Sequence, residues 1–212
     1  MEVAKMEDGP AKSGKYAFSD RKAAEFLAEF GIPFVPQTYI DRQTDVAAAA
    51  RKFGFPVVVK GVGKNLLHKS DRGLVHLNLS DAGAIETAVK AITAEASGEL
   101  DGFSIQPHIK GRREFVAGLF RDRQFGPVVM FGIGGVFTEA FADVAFRLAP
   151  LTESDAAEML TEIQGNALLG KFRGEMPADR KMLIQALQGL SRVGESHPEV
   201  AEVDINLRST SE

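Results

Sequence analysis

The stretch EFVAGLFRDRQFGPVVMF, residues 114–131, constrains the fold more than any other part of the chain. Its runs Glu114–Phe120 and Pro127–Phe131 flank the polar turn RDRQFG, the pattern of an antiparallel hairpin. A hairpin in mid-chain breaks the strand–helix–strand alternation that a doubly wound parallel sheet requires. The surrounding text mixes helix and strand. Ser19 or Asp20 caps a helix with Ala23, Phe26, Leu27 and Phe30 on one face, stopped by Gly31 and Pro33. Phe34–Ile40 reads as a strand, and Thr44 or Asp45 caps a second helix that ends at Gly54. Pro56–Lys60 (PVVVK) is a β-branched run and so a buried strand, followed by a loop from Gly61 to Gly73 and the strand Val75–Leu79. Asp81 opens a third helix, Phe103–Ile109 is a strand, and Val136–Phe146 is extended. Thr152 with Asp155 forms a capping pair, Pro177-Ala178-Asp179 opens a long last helix, and VDINL, residues 203–207, is a final short strand. This order predicts an α+β protein of two lobes, with a ligand cleft between them.

Composition narrows the chemistry. The 212 residues are 44% hydrophobic and 25% charged, enough apolar content for two real cores. A formal net charge of −4 argues against non-specific nucleic-acid binding, which needs a basic face. With no cysteine, disulfides, zinc–thiolate sites and a cysteine nucleophile are excluded. No apolar run reaches membrane-spanning length, so the expectation is a cytoplasmic protein without a membrane partner. Residues 1–15 are polar and lack apolar periodicity, and are expected to form a flexible tail.

Several residues have the chemistry of a phosphate site. Lys60 ends the strand PVVVK ahead of GVGKN, so its ammonium reaches either phosphate oxygens or water. Gly61 and Gly63 allow backbone N–H groups to approach an anion, although the spacing is neither a Walker A loop nor a dinucleotide fingerprint. GIGG, residues 132–135, is a second permissive loop or a bend between strands. His68 stands between Leu67 and Lys69 in LLHKSD. It is a solvated loop histidine or, with Asp71 orienting the ring and Lys69 offsetting charge, a nucleophile toward phosphorus. Glu114, Glu139, Asp143, Asp204 and Asn206 supply oxygen ligands suited to Mg²⁺. Spacing two puts Asp204 and Asn206 on the same side of a strand.

The blocks FGIPFVPQTYI, FPVVVKGVGKNLLHKSDRGLVHLNLSD, SIQPHIKGRREFVAGLFRDRQFGPVVMFGIGGVFTEAFADVAFRLAPL and EVDINL resemble the ATP-grasp portion of ADP-forming acyl-CoA synthetases, in order and in spacing. In acetyl-CoA synthetases of that type this portion is the β subunit; the β subunit of succinyl-CoA synthetase is a more distant likeness. The resemblance implies an ATP-grasp fold with residues 16–34 and 108–207 in a larger lobe and 35–107 in a smaller one. The nucleotide would lie between the lobes, and 208–212 would be a tail. It implies an acid–thiol ligase that works with a CoA-binding α subunit or domain. A phosphohistidine formed on that partner passes its phosphoryl group to His68 and then to ADP, with Mg²⁺. The acyl and CoA sites are expected on the partner.

Other roles come from the same resemblance. Lys60, with Gly61 and Gly63 beside it, is expected at the nucleotide phosphates, and Gln106, Pro107 and His108 at adenine. Glu114 is expected at the ribose, and Gly134 and Gly135 near the transferred phosphoryl group. Arg147 of FRLAPL is expected at a phosphate, Asp204 facing the phosphohistidine, and Asn206 on Mg²⁺. The chain departs from the family at two points. Gly73-Leu74 stands where the family has Gly-Gly, and Asn206 is followed by Leu207-Arg208 rather than Pro-Leu. The later Asp that completes the family's metal site has no counterpart. That departure is expected either of a fragment of a longer chain or of the alternative, a regulatory nucleotide-binding module as in acetyltransferase fusions; His68, Lys60 and Arg147 favour the enzyme.

Overall fold

The computed structural model describes residues 2–8, 20–63, 66, 72–96, 98–109, 113–134 and 143–208. In chain order the elements are β1 (Glu2–Asp8), α1 (Asp20–Glu29), β2 (Thr38–Asp41), α2 (Val46–Ala50), β3 (Val57–Val62), β4 (Val75–Leu79), α3 (Ala82–Glu95) and β5 (Gly102–Pro107). There follow β6 (Glu114–Asp122), β7 (Gly126–Ile133), β8 (Val144–Leu148), α4 (Glu153–Glu162), a 3₁₀ helix (Gln164–Leu169), α5 (Arg180–Ser196) and β9 (Val200–Arg208). The chain divides into two compact units, one of Met1–Phe34 with Ile109–Glu212, the other of Val35–His108. Among the described residues no helix is long and apolar enough to cross a membrane.

The larger unit holds an antiparallel sheet in the order β1-β9-β6-β7-β8. The RDRQFG turn does join β6 to β7, and Asp122 accepts the Gln124 and Phe125 N–H groups to close it. Phe115, Ala117, Leu119, Val129, Phe131, Val203, Ile205 and Leu207 alternate onto one face and are buried there. The core they join includes Leu183, Ala186, Leu187, Leu190 and Val193, an apolar stripe at helical spacing along α5. α4 is held at its start by the expected capping box, in which Thr152 and Asp155 exchange bonds. Asp179 caps α5 through the Met182 N–H.

The smaller unit holds a four-stranded antiparallel sheet, β2-β5-β3-β4. Its core joins Val57, Val59, Phe103 and Ile105 to Ile85, Ala88 and Ile92 of α3. Asp45 and Asp81 cap α2 and α3. β2 starts at Thr38, later than the expected Phe34, because Pro33 and Pro36 have no N–H to give a ladder. Asn78, with φ of 57°, takes the left-handed turn that accommodates the irregular β3–β4 register.

Two expectations change. Residues 1–15 are not wholly a tail, because Glu2–Asp8 pair with β9 from Glu2↔Asn206 to Asp8↔Val200. An edge strand needs only backbone partners, so the polar text of β1 carries no apolar signal. Arg208, assigned above to a C-terminal tail, is the last residue of β9 and pairs with Glu114.

Candidate functional site

Among the described residues of the larger unit, the sheet has one face packed on helices and one left open. Since Val203, Ile205 and Leu207 point into the core, Asp204 and Asn206 point to the open face, as spacing two requires. Backbone register then fixes their neighbours. Asn206 lies opposite Val116, in line with Gly132 and Val144. Asp204 lies opposite Gly118, in line with Met130 and Phe146. A Cβ on residue 118 would meet the Val203 carbonyl oxygen at 3.2 Å, Met130 Cε at 3.3 Å and Asp204 Oδ1 at 3.4 Å. Gly118 therefore leaves the hollow over which the Asp204 carboxylate and the Met130 thioether lean.

This face fits a hard divalent cation in part. A carboxylate and an amide oxygen two residues apart on one strand are oxygen donors separated by about 7 Å of backbone. Among the described residues no group of three His, Cys, Asp or Glu could hold a metal. Mg²⁺ held here would draw most of its ligands from water and from a bound phosphate, which is its ordinary habit.

Arg147 is not brought to that face. It pairs with Val129, which is fully buried on the helix side. Its guanidinium lies 2.8 Å from Glu162 and 3.7 Å from Glu158, both on α4, and also donates to the Phe146 carbonyl at 3.0 Å. A phosphate contact by Arg147 beside Asp204 would require leaving these carboxylates.

In the smaller unit Lys60 is 6% exposed, in the middle strand β3 between Val75 of β4 and Ser104 of β5. A lysine so enclosed needs anionic or polar company for its charge. Gln106 and Pro107 pair with Val58 and Val57, and the His108 N–H donates to the Pro56 carbonyl at 2.9 Å, so these three residues follow β3 to its start.

The glycines serve packing more than anion capture. The Gly61 N–H donates to the Leu74 carbonyl at 2.9 Å, and the Gly134 N–H donates to the Glu114 carbonyl at 2.8 Å. These two N–H groups are engaged with backbone carbonyls. A Cβ on Gly63 would fall 2.1 Å from the Glu99 carbonyl oxygen, so close backbone approach explains the glycine. Asp143 accepts the Gln164 and Gly165 N–H groups at 2.7 and 2.8 Å and thereby caps the 3₁₀ helix. His68, Gly135 and Glu139 lie outside the described residues.

Arg113 is the residue that sequence reading missed. It is 6% exposed, and its guanidinium donates to the carbonyls of Leu168 at 2.5 Å, Gly170 at 2.6 Å and Met176, and to Glu175 at 3.1 Å. It lies next to Glu114, whose carbonyl holds Gly134, so one arginine ties segment 168–176 to the start of β6. Its partners lie 55 to 63 residues away in the chain, beyond any local signal.

The family described as ATP-grasp domain matches residues 10–206. Subunit beta of the ADP-forming acetate–CoA ligase I of Pyrococcus furiosus is 36% identical over 202 residues, covering 92% of this chain and 87% of that subunit. The ADP-forming 4-hydroxybutyrate–CoA ligase of Nitrosopumilus maritimus is 34% identical over 192 residues, which are 88% of this chain but only 28% of that protein. Among solved structures, the dinucleotide-forming acetyl-coenzyme A synthetase 1 of Ca. Korarchaeum cryptofilum superposes with a TM-score of 0.75 at 39% identity, covering 88% of this chain and 82% of that one. It was solved with coenzyme A and Mg-AMPPCP, its phosphohistidine segment pointing towards the nucleotide binding site.

Proposed function

The chain belongs to the ATP-grasp domain family, and from that premise we propose that it is the nucleotide-binding subunit or domain of an ADP-forming acyl-CoA synthetase. The reaction is acyl-CoA + ADP + phosphate to carboxylic acid + CoA + ATP, in either direction. The observation that carries this reading is that 92% of the chain aligns with 87% of a β subunit that is a separate polypeptide. The CoA-binding part would then be a partner; in the 4-hydroxybutyrate–CoA ligase the aligned region is only 28% of the protein.

In this reading Lys60 neutralises nucleotide phosphate charge from the floor of the smaller unit, and Gln106–His108 border adenine. Asp204 and Asn206 offer oxygen donors on the open sheet face, with Glu114 at the ribose. Mg²⁺, when bound, would draw charge from the phosphate oxygens. His68 would accept the phosphoryl group from the partner's phosphohistidine as a neutral imidazole and release it to ADP, so the chain needs no acyl or CoA site. The engagement of Arg147 with Glu158 and Glu162 favours a second reading, a module that binds nucleotide for regulation without turnover.

Reconstitution separates these readings. Mixed with a CoA-binding partner subunit, acyl-CoA, phosphate and Mg-ADP, the chain should form ATP, and neither component should do so alone. Nucleotide binding without turnover at any partner concentration would favour the regulatory module. Synthetase turnover by the chain alone would overturn the subunit reading.

A further inference from the structure

Segment Lys171–Met176 is built more rigidly than an exposed loop requires. The Phe172 N–H donates to the Glu175 carbonyl at 3.3 Å and the Glu175 N–H donates back to Phe172 at 2.9 Å, closing a two-residue hairpin. Its turn residues both have positive φ, +47° at Arg173 and +87° at Gly174. Glycine accepts that conformation freely. Arginine does not, and a strained non-glycine residue at a turn tip is the kind of feature that function retains. The root of the hairpin is fastened by buried Arg113 to Leu168, Gly170, Glu175 and Met176, and by the Ala178 N–H on the Leu169 carbonyl at 3.0 Å.

The tip is cationic and open. Lys171, Phe172, Arg173 and Met176 are all exposed. The Arg173 guanidinium carbon sits 5.5 Å from the centroid of the Phe172 ring, which orients the charge without neutralising it. Among the described residues neither Arg173 nor Lys171 forms an ion pair or side-chain hydrogen bond. The root meets the chain at Arg113, one residue before Glu114, so the hairpin is anchored at the start of β6. An arginine fork held on a strained tip, with an exposed lysine two residues before it in the chain, suits phosphate oxygens in shape and in charge.

We propose that this hairpin is an anion-binding element in which Arg173, assisted by Lys171, takes a phosphate group, either inorganic phosphate or the phosphates of a nucleotide. The nucleotide source rests on the function proposed above; the phosphate source does not.

Calorimetry on the purified chain and its Arg173→Gln, Lys171→Gln and Arg173→Gly variants distinguishes the sources, with ADP and adenosine as titrants. Thermal melting is followed in parallel with rising inorganic phosphate. Arg173→Gln should weaken ADP about tenfold and leave adenosine unchanged, because only charge-assisted contacts are lost. Arg173→Gly relieves the turn, so it should melt no lower than wild type yet lose the same ADP affinity. Wild-type affinity for ADP in both glutamine variants, with no change in the response to phosphate, overturns the proposal while leaving the nucleotide function intact. If wild type binds no ADP, that function fails by itself and phosphate decides the hairpin. A phosphate-dependent rise in melting temperature that Arg173→Gln abolishes supports it, and an equal rise in both proteins, or none, overturns it.

Discussion

Asp204 stands directly across from Gly118, with its Oδ1 3.4 Å from the point where a side chain on residue 118 would begin. The Val203 carbonyl oxygen and Met130 Cε are nearer still, at 3.2 and 3.3 Å. Alanine at 118 needs a swing of the Met130 methyl and a shift of a few tenths of an ångström from the Val203 carbonyl, whereas valine must displace the carboxylate or the strand. Gly118→Val is expected to cost about 1–3 kcal/mol of stability by overpacking, and to lower partner-dependent turnover at least about tenfold by moving Asp204. Gly118→Ala should keep most of both. A Gly118→Val protein with full turnover would remove Asp204 from the chemistry.

Asn206 offers an amide oxygen on the open face at a half-buried position, so its removal should be felt by ligand before fold. In Asn206→Leu the Mg²⁺ concentration needed for half-maximal nucleotide binding should rise by about tenfold, with the melting temperature nearly unchanged. Titrating Mg²⁺ at fixed ADP measures this, and coincident curves for the two proteins would exclude Asn206 as a ligand.

Lys60 is enclosed in β3, where a charge-assisted bond to phosphate is worth roughly 1.5–3 kcal/mol. Lys60→Ala should therefore weaken ADP by about tenfold to a hundredfold, read by calorimetry. Equal affinities would return Lys60 to a structural role.

Arg113 and Arg147 give a controlled pair for stability. The side chains of Arg113 and Glu175 are 5% and 18% exposed, and three carbonyls also depend on the arginine. Arg113→Met should cost about 3 kcal/mol or more in urea unfolding, because it leaves a part-buried carboxylate and carbonyls without their donor. Arg147 and Glu162 are 30% and 53% exposed, so Arg147→Met should cost only about 0–1 kcal/mol. Similar losses for the two variants would contradict the burial argument.

The Thr152 hydroxyl, then its backbone N–H, hold the Asp155 carboxyl below the ordinary carboxylate range. A carboxylate depressed on folding contributes stability above its unfolded pKa, and that contribution is lost as pH falls through the folded value. Asp155→Asn should thus melt a few degrees lower than wild type at pH 7. The gap should close as pH falls below about 4, the range where an unfolded aspartate protonates. A gap independent of pH would place the loss in packing rather than in the capping charge.

What could be read beforehand follows physical range. Caps are local, so Asp45, Asp81, Thr152 with Asp155, and Asp179 were legible from neighbouring residues. The β6–β7 hairpin was legible for the same reason, and alternation placed Asp204 and Asn206 on one face. Arg113 was illegible because burial and carbonyl acceptors lie far along the chain. Arg147 was placed by resemblance to a motif, but the face it occupies is fixed by its opposite number, Val129, on another strand. The N–H group of Gly61 looked available because glycine marks permissive backbone, and nothing local shows that the Leu74 carbonyl already engages it. β1 was hidden because its text is mostly charged and its pairing partner lies far along the chain.

The pairing of β1 with β9 also sets an order of events during synthesis. β1 is made well before β9, its hydrogen-bonding partner, so its edge waits while the elements between them are synthesised. Residues 35–108 form a continuous compact unit and can fold while the rest is still being made. The sheet that bears Asp204 and Asn206 closes only once β9 has been made, and until then the nascent protein carries an open β edge for a chaperone to cover.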